Sequence, residues 1–515
     1  MQTVSEKWDK NQESRIITAP SFLELSILVT DPEAAAEAES SCTKEEFYSQ
    51  GNTIANGIAK LATKYAALEH NIWCLDGTLK IIPDSSPYGD NGYVGSVLSR
   101  SDCTFSPQPV VTVSFSKVYT NPLQGITLNW STKYDNEWAE SFIIKAYNGS
   151  TVTASKTVTG NQSAKCFVTI DIETYDRIEL TVTKWNLPYR RTRMESFAIG
   201  IEHIFHKEDV MKYQHTMESD ILSAELPKVE VSFKFKNIER TYNPDNSNGL
   251  SKYLMEQQEI KVKYGYVIDG SLELIEGATV YLSEWETPSN DISATFTARD
   301  LLSYMEETYT GPSSGSLYSI AEAALTQADL PVQANGLPRW EINTSLKNIN
   351  APSGVDLSGY TLAEIVQLCA NAGCCVMYQD REGILRIKPF SGESTGYSIA
   401  KFIEYGYPET RLSKPLKAVN INDGAYILQV SSDGAVQPVN NPLISSDQAP
   451  TVAAWVKDML VLRQTVNGEW RSDPKVDVLD VVAVDTPFKT NNVVLTRVEY
   501  TFNGMFTGKY EGRVR

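Results

Sequence analysis

Residues 228–236 read Lys-Val-Glu-Val-Ser-Phe-Lys-Phe-Lys and alternate apolar with polar side chains along their whole length. Successive side chains of a β-strand point to opposite faces, so this stretch predicts a strand with one buried and one solvated face. The buried face would hold Val229, Val231, Phe233 and Phe235. A run of turn-forming residues, 242–249, follows and ends the extended segment.

The sequence on either side of this strand has the same β character. Downstream, further strands are predicted at residues 260–266, 280–285 and 294–300. Upstream, residues 22–30 also alternate, and Asp31-Pro32 ends that segment because proline cannot donate to a strand ladder. We therefore predict a β-rich domain around residues 228–236.

Residues 104–187 have a different sequence pattern, in which short apolar runs are separated by turn-forming pairs such as Asn148-Gly149 and Gly160-Asn161. Strands are predicted at 111–115, 126–130, 142–144 and 178–182. Several short strands at this spacing favour a small antiparallel β-sandwich. We expect it to be a separate domain, inserted into the rest of the chain.

Three amphipathic helices are predicted, because apolar residues recur at i, i+3, i+4 and i+7 in residues 317–325, 362–369 and 452–460. Thr361 and Glu364 fit a capping box at the start of the second helix, and Gly373 fits a C-terminal stop. A hairpin with its turn at residues 380–383 follows this helix, and residues 476–515 return to strands.

The composition indicates a globular, multidomain chain rich in β structure. Its 515 residues exceed one ordinary core, and 26 Tyr with many Val, Ile and Thr favour strands. No apolar run approaches a membrane span, and the first residues lack the apolar core of a signal peptide, so neither an anchor nor a signal is expected. A net charge of −18 disfavours stable nucleic-acid binding, which requires clustered Lys and Arg.

A search for catalytic patterns predicts no enzyme, no cofactor and no metal site. Residues 392–396 match a nucleophile-elbow pattern, but all four His residues precede them, which excludes the usual Ser…Asp…His order. The three later histidines, His203, His206 and His215, have no metal-binding spacing. Cys369 lies on an apolar helical face, and Cys374 and Cys375 are predicted to alternate across a strand, which favours core packing. The sequence does not test for a pair of carboxylates that cleaves glycosides, because such a pair is defined by the distance between its carboxyl groups in the folded protein.

The order of several short motifs resembles a known family. Residues 65–69, 73–77, 82–83 and 88–89 resemble the opening of phage minor structural proteins from tail tips. The hub-domain pattern of tail-associated and baseplate hub proteins is matched by residues 228–233, 242–244, 262–266, 282–285 and 294–300. The resemblance continues through residues 441–444, the helix of Trp455, residues 470–474 and residues 502–504, and it leaves out about 104–185.

Two departures from this family pattern are visible. Leu479 stands before Asp480 where the family pattern leads us to expect Gly. The chain also ends shortly after Phe502-Asn503-Gly504. It is therefore expected to lack the C-terminal extension that carries peptidoglycan-cleaving or fibre domains in many relatives.

The resemblance implies a mainly β protein with a few helices (α+β), made of two hub-type β-barrels per subunit plus the inserted β-sandwich. It implies a homotrimer whose pseudo-sixfold ring docks on the hexameric tail tube and contacts the distal tail protein and the tip, fibre or tape-measure proteins. Such a hub is made in the host cytoplasm, resides in the virion, and leaves a channel through which DNA passes without stable binding.

The corresponding domain prediction has five parts. They are an N-terminal hub region (1–103), the sandwich (104–187), a hub β-barrel domain (188–305), an α+β domain with the helix and hairpin (306–415), and a C-terminal β domain that completes the hub (416–515).

Two alternative functions remain open. A receptor- or carbohydrate-binding tail protein would use exposed aromatic residues of the sandwich, for which the candidates are Trp130, Tyr134, Trp138 and Tyr147. A cell-wall hydrolase component is favoured only by family association. If the chain binds carbohydrate, these aromatic rings would stack on sugars. If it does not, they pack in the core of the sandwich.

Overall fold

The structure is a computed structural model, and it describes residues 1–29, 34, 37–47, 49–55, 92–120, 122–130, 137–246, 251, 254, 256–288, 290–333, 337–400, 403–460 and 463–515. The family motifs at 65–69, 73–77, 82–83 and 88–89 lie outside the described residues. Tyr134 and His70 also lie outside them.

The chain divides into two compact units. The first contains Met1–Ile27, Ile204–Leu330 and Arg339–Arg515, and the second contains Leu28–His203 and Pro331–Pro338. Four helices have defined bounds within the described chain: α1 (Glu6–Glu13), α2 (Leu317–Gln327), α3 (Leu362–Ala372) and α4 (Ala449–Leu460). Strands dominate both units, which confirms the predicted mainly β class with a few helices.

The strands are numbered in chain order. They are β1 (Ser21–Val29), β2 (Glu39–Cys42), β3 (Tyr93–Leu98), β4 (Val110–Tyr119), β5 (Leu123–Trp130), β6 (Ala139–Asn148), β7 (Thr151–Val158), β8 (Lys165–Ile172), β9 (Tyr175–Trp185), β10 (Arg191–Ile199), β11 (Ile201–His206), β12 (Val210–Glu218), β13 (Lys228–Lys236), β14 (Glu259–Ile268), β15 (Ser271–Glu286), β16 (Ser293–Arg299), β17 (Trp340–Ile342), β18 (Val376–Gln379), β19 (Leu385–Lys388), β20 (Ser394–Ile399), β21 (Glu409–Leu412), β22 (Leu416–Ile421), β23 (Tyr426–Gln429), β24 (Ala435–Val439), β25 (Gln464–Trp470), β26 (Val481–Asp485), β27 (Thr490–Phe502) and β28 (Phe506–Val514).

A 13-stranded sheet is the main element of the first unit. Its order is β11-β1-β14-β15-β16-β13-β12-β27-β28-β25-β21, and β26 pairs with both β27 and β20. Strand β13 is the predicted alternating strand, and its four apolar side chains are buried. The rings of Tyr264 on β14 and Phe506 on β28 lie 5.1 Å apart although their strands are far apart in the sheet order. The sheet therefore curves around a shared core.

The strand pairing does not confirm the predicted pair of hub-type barrels. Pairing β12 with β27 joins an earlier set of strands to the C-terminal set in one continuous sheet. Among the strands that the structure describes, no pairing closes this path into a ring. The two-barrel arrangement therefore stays a prediction.

A second core in the first unit is formed by α2, α3 and α4 with two small sheets, β17-β19-β18 and β23-β22-β24. All three predicted helices are confirmed, and so is the hairpin of β18 and β19. Thr361 and Glu364 form the predicted capping box, and Gly373 is the C-cap. The left-handed residue after the helix is Cys374, with φ 55°. This corrects the prediction that Cys374 and Cys375 alternate across a strand, because a helix-terminating turn precedes β18.

The second unit is the predicted antiparallel sandwich. Its sheets, β3-β10-β5-β8 and β2-β4-β9-β6-β7, share one apolar core, in which Trp130 on β5 and Phe142 on β6 have ring centroids 5.9 Å apart. The sheets also include β2, β3 and β10, which lie outside the predicted range 104–187. Backbone pairing adds these strands, and a local pattern cannot show such pairing. The other predicted domain boundaries stay predictions.

Candidate functional site

The residues that carry the hub-domain pattern meet in the core of the large sheet. Phe233 from β13, Tyr264 and Tyr266 from β14, Trp470 from β25 and Phe502 from β27 are all buried there, together with Phe235, which follows the motif on β13. Edge-to-face contacts join several of these rings, such as Phe235 with Phe296 at 4.9 Å. The motifs are far apart in the sequence, and they therefore share a packing role.

A buried arginine lies beside this aromatic core. The Nε of Arg381, in the turn between β18 and β19, donates to Asp477 Oδ1 at 2.5 Å. Its other nitrogens donate to the carbonyls of Glu276 (3.1 Å), Pro474 (2.5 Å) and Val476 (2.7 Å). Burial alone would raise the pKa of Asp477, but the guanidinium holds that pKa below its ordinary value. The ion pair is therefore charged, and it ties the β18–β19 turn to the loop before β26.

Tyrosine and histidine side chains extend this polar cluster inside the sheet. The Tyr500 hydroxyl donates to the carbonyl of Val476, and His215 Nδ1 lies 2.7 Å from the Tyr264 hydroxyl. Burial and, to a smaller extent, the nearby Arg381 charge lower the pKa of His215 to about 3. His215 is therefore neutral, and its ring acts as a hydrogen-bonding core group.

The loop of residues 471–480, between β25 and β26, holds the N-terminal segment, residues 1–15. Trp8 on α1 is fully buried, its ring lies 4.8 Å from that of Tyr266, and its Nε1 donates to Asp473 Oδ1 at 3.1 Å. Burial raises the pKa of Asp473 to about 6, and Lys475 opposes this rise. The sequence patterns did not predict α1, because a single buried aromatic residue gives no helical periodicity.

Arg471 secures the end of the same segment. Its guanidinium nitrogens donate to the main-chain carbonyls of Arg15 (3.0 Å), Gln12 (2.7 Å) and Ser14 (2.8 Å). The Gln12 carbonyl lies in the last turn of α1 and the other two follow it, where no further helical N–H is present to bond them. The Trp-Arg-Ser-Asp-Pro motif of residues 470–474 is therefore a clamp for the N-terminal segment.

Asp300, the last residue of the family motif 294–300, organises a turn. Its Oδ2 accepts from the Val229 N–H at 2.6 Å and its Oδ1 accepts from the Leu302 N–H at 3.1 Å. The carboxyl group caps the 3-10 turn Leu301–Tyr304 and holds the start of β13. Burial raises its pKa to about 6, although both backbone bonds favour the charged form.

Leu479 has a backbone conformation that explains the Gly expected at its position. Its φ is 69°, in the left-handed region where a β-carbon is disfavoured. The Leu479 N–H donates to the carbonyl of Leu495 at 2.7 Å, which holds the loop in this shape. The loop therefore keeps the geometry that the family pattern implies, at the expense of local strain.

The described residues that were considered for catalysis or metal binding have different environments. His206 Nδ1 lies 3.8 Å from Glu24 at the surface, whereas His215 is buried, and the side chain of His203 lies outside the description. Cys369 and Cys375 are buried and Cys374 is partly buried. Ser394 is exposed at the start of β20. In the described part of the chain, no group of three or more His, Cys, Asp or Glu residues has a metal-binding arrangement.

The four aromatic candidates for sugar contact have different environments. Trp130 is fully buried in the sandwich core, which corrects the assumption that its ring is exposed. Trp138 is partly buried and its Nε1 donates to the Asn161 carbonyl at 2.9 Å. Tyr147 is partly exposed with the Arg177 guanidinium 4.2 Å from its ring centre. Tyr134 lies outside the described residues, so sugar contact there stays a prediction.

Two further exposed tyrosines, Tyr405 and Tyr407, lie in the first unit, and no sequence motif pointed to them. They lie beside β21 and line an open groove with residues of β25 and β28. Only strand pairing brings these segments together. Within the described residues, no helix is long and apolar enough to span a membrane.

Comparisons with known proteins give structural likenesses only. No protein-family model and no curated protein sequence matches the chain. Its fold is similar to the 43 kDa tail protein of prophage MuSo2 from Shewanella oneidensis, at 14% identity and a TM-score of 0.40, covering 60% of this chain and 94% of that one. It is similar to a tail protein from Neisseria meningitidis MC58, at 11% identity and a TM-score of 0.40, covering 61% and 93%. It is also similar to chitosan-binding module 2 of a chitosanase/glucanase from Paenibacillus sp. IK-5, at 14% identity and a TM-score of 0.21, covering 33% and 99%.

Proposed function

We propose that this chain is a structural protein of a phage tail tip. It acts as a homotrimeric hub that closes the distal end of the tail tube, links the tube to tip or fibre proteins, and leaves a channel for DNA. The family resemblance of the ordered motifs suggests this role.

One observation supports a structural role above all: the family motifs use their polar side chains to hold the fold. Asp300 caps a turn, Arg471 binds main-chain carbonyls, and Asp473 accepts from Trp8. A catalytic group must reach a substrate, whereas these groups are buried and already hydrogen-bonded. Motifs used in this way maintain a shape, and a hub works through shape and interfaces.

A surface suited to contact between copies lies at one end of the large sheet. Exposed apolar side chains lie there on neighbouring strands or their turns: Met505, Met211, Ile238 and Ile292. Strand register places them together, since Tyr213 pairs with Phe502, Lys236 pairs with Ser293, and the Asn237 N–H donates to the Ile292 carbonyl at 2.6 Å. Ile238 is 66% exposed and Ile292 is 52% exposed.

The occupant that we propose for this surface is a second copy of the chain. At a net charge of −18, two copies repel each other over most of their surfaces. Around this end of the sheet the charges balance locally, as in the Lys234–Asp291 pair at 2.9 Å. An apolar patch with balanced charges is where like-charged copies approach with the least repulsion.

Light scattering of the purified chain at several concentrations tests the proposal. We expect three times the mass of the chain, either alone or after the tail-tube protein is added. Ile238→Glu with Ile292→Glu should shift the mass to that of a monomer, because each copy would bring two carboxylates without partners into the contact. Ile427→Glu, an exposed Ile on β23, is the matched control and should leave the trimer intact. A wild-type chain that stays monomeric with the tube protein present would overturn the hub proposal.

A mobility-shift assay with duplex DNA addresses the channel. At physiological salt we expect no shifted band, because the chain lacks the excess of cations that displaces phosphate counterions. A salt-sensitive complex would contradict passage without binding.

A further inference from the structure

The outer face of β21, β25 and β28 forms an open groove of about 430 Å³ in the first unit. This volume lies within the range of roughly 300–1,000 Å³ that is usual for small-molecule sites. Cross-strand pairs build its polar surface, because Glu409 pairs with Asn467, Asn467 with Glu511, and Glu469 with Lys509. The rim is formed by Tyr405 and Tyr407, which precede β21.

Both tyrosine side chains face solvent, at 58% exposure for Tyr405 and 53% for Tyr407. The backbone that carries them is held in place: the Tyr405 N–H donates to the Glu469 carbonyl at 2.9 Å. The preceding residue, Glu404, accepts from the Tyr510 hydroxyl at 2.5 Å. A ligand therefore meets rings on a fixed base, which reduces the entropy lost on binding.

Gly468 makes this arrangement possible. It pairs with Tyr510, and a β-carbon at Gly468 would lie 2.7 Å from the Tyr510 hydroxyl oxygen. Any side chain there would displace the hydroxyl that holds Glu404. Gly468 therefore acts as a positioning residue for the tyrosine rim.

We propose that this groove binds oligosaccharides built from hexosamine units. Exposed tyrosine rings offer rigid, amphipathic surfaces that can pack against the apolar face of a pyranose ring. Beside them, the Asn467 amide and the carboxylates of Glu469 and Glu511 can exchange hydrogen bonds with sugar hydroxyl and amino groups. Rings flanked by a few converging polar groups provide both affinity and orientation.

The charges of the groove select among sugars. Its lining carries three carboxylates, Glu409, Glu469 and Glu511, against one ammonium, Lys509, which lies 3.2 Å from Glu469. Even with Arg411 3.5 Å from Glu409, acidic groups are in excess. Anionic sugars are therefore repelled, and a free amino group on the sugar adds attraction. The proposal does not depend on the trimeric hub, because every lining residue belongs to one chain.

Isothermal titration of the full-length chain with three probes tests this site: a glucosamine trimer, its N-acetylated form and a galacturonate trimer. We expect the glucosamine trimer to bind most tightly and the galacturonate trimer not to bind. Tyr405→Ala and Tyr407→Ala should each weaken binding about tenfold through the lost ring contact. Tyr405→Phe keeps the ring and should stay within about threefold of the wild type.

Phe488→Ala removes a different exposed ring, in the β26–β27 turn, and should leave binding unchanged. Glu511→Gln should reduce the preference for the free amine over its N-acetylated form. The proposal is overturned if the wild type binds none of the sugars, or if the Tyr405→Ala/Tyr407→Ala double variant binds as the wild type does. Light scattering of the same samples reports the hub separately, because a trimer without sugar binding contradicts only this proposal.

Discussion

Arg381 and Asp477, which lie 96 positions apart in the chain, form an ion pair at 2.5 Å inside the first unit. Arg381 comes from the turn that follows α3 and β18, whereas Asp477 comes from the loop that leads into β26. The pair thus joins the core formed by α2, α3 and α4 to the loop that also holds the N-terminal segment.

Removing one member of this pair should strongly destabilise the first unit. Arg381→Met leaves the Asp477 carboxylate with the Met1 amino group, 3.4 Å away, as its remaining charged partner and frees three main-chain carbonyls, so we expect the free energy of unfolding in urea to fall by about 3 kcal/mol. The Arg381→Met/Asp477→Asn double variant should lose clearly less free energy of unfolding than the two single variants lose in sum. Strict additivity would show that the two side chains do not interact in the folded chain.

Leu479 should tolerate Gly better than Ala. Both substitutions remove the side chain, but only Gly adopts a φ of 69° without strain. We expect Leu479→Gly to be more stable than Leu479→Ala by about 1 kcal/mol in urea unfolding. Ala483→Gly, in the regular strand β26, is the control and should be destabilising. Equal stability of the two Leu479 variants would contradict strain at this position.

The stability of the chain should depend on pH through Asp300. Its pKa is raised from 3.8 to about 6, so the folded state binds the proton more tightly than the unfolded state. The resulting stabilisation is fully present below pH 3.8 and is lost as pH rises through 6. The stability of the wild type relative to Asp300→Asn should therefore fall between about pH 4 and pH 7.

Asp291→Asn is the control for this pH dependence. Hydrogen bonds from Ser293 and Lys234 lower the pKa of Asp291 to about 2, so its contribution is lost only as pH falls toward that value. Between about pH 4 and pH 7 its curve should run parallel to that of the wild type. A parallel curve for Asp300→Asn as well would contradict the raised pKa.

Trp8 should anchor the N-terminal segment. Trp8→Ala removes a fully buried ring and should destabilise the first unit by about 3–5 kcal/mol. Tryptic cleavage after the exposed residues Lys10 and Arg15 should accelerate, as followed by mass spectrometry. Trp8→Phe keeps a ring but loses the bond to Asp473, so an intermediate rate is expected. Unchanged cleavage in Trp8→Ala would mean that the ring does not hold the segment.

Substitutions of the aromatic residues in the sandwich should reduce its stability by amounts that depend on how deeply each ring is buried. Trp130→Ala should lower the stability of the second unit by about 3–5 kcal/mol, because the ring fills its core. Tyr147→Ala loses only a partly exposed cation–π contact and should cost about 1 kcal/mol or less. Thermal unfolding monitored by tryptophan and tyrosine fluorescence distinguishes the two. Similar losses would contradict the contrast in burial.

Elements with a strong local pattern could be predicted from the sequence. The alternation of residues 228–236 predicted β13, and the apolar spacing of residues 362–369 with Thr361 and Glu364 predicted α3 and its capping box. Helix α1 was missed because only Trp8 and Gln12 of that helix are buried. Without an apolar stripe, a short helix leaves no periodicity to detect.

The sequence by itself determined the class of each strongly patterned element and the excess of negative charge, because both depend on neighbouring residues or on sums over the chain. Only the tertiary structure decided that Trp8 meets Asp473, that Arg381 meets Asp477, and that Tyr405 lies beside Glu469. It also decided that Trp130 is buried and that Leu479 is strained. Contacts between distant segments depend on strand order and register, and local periodicity carries no information about which strands pair.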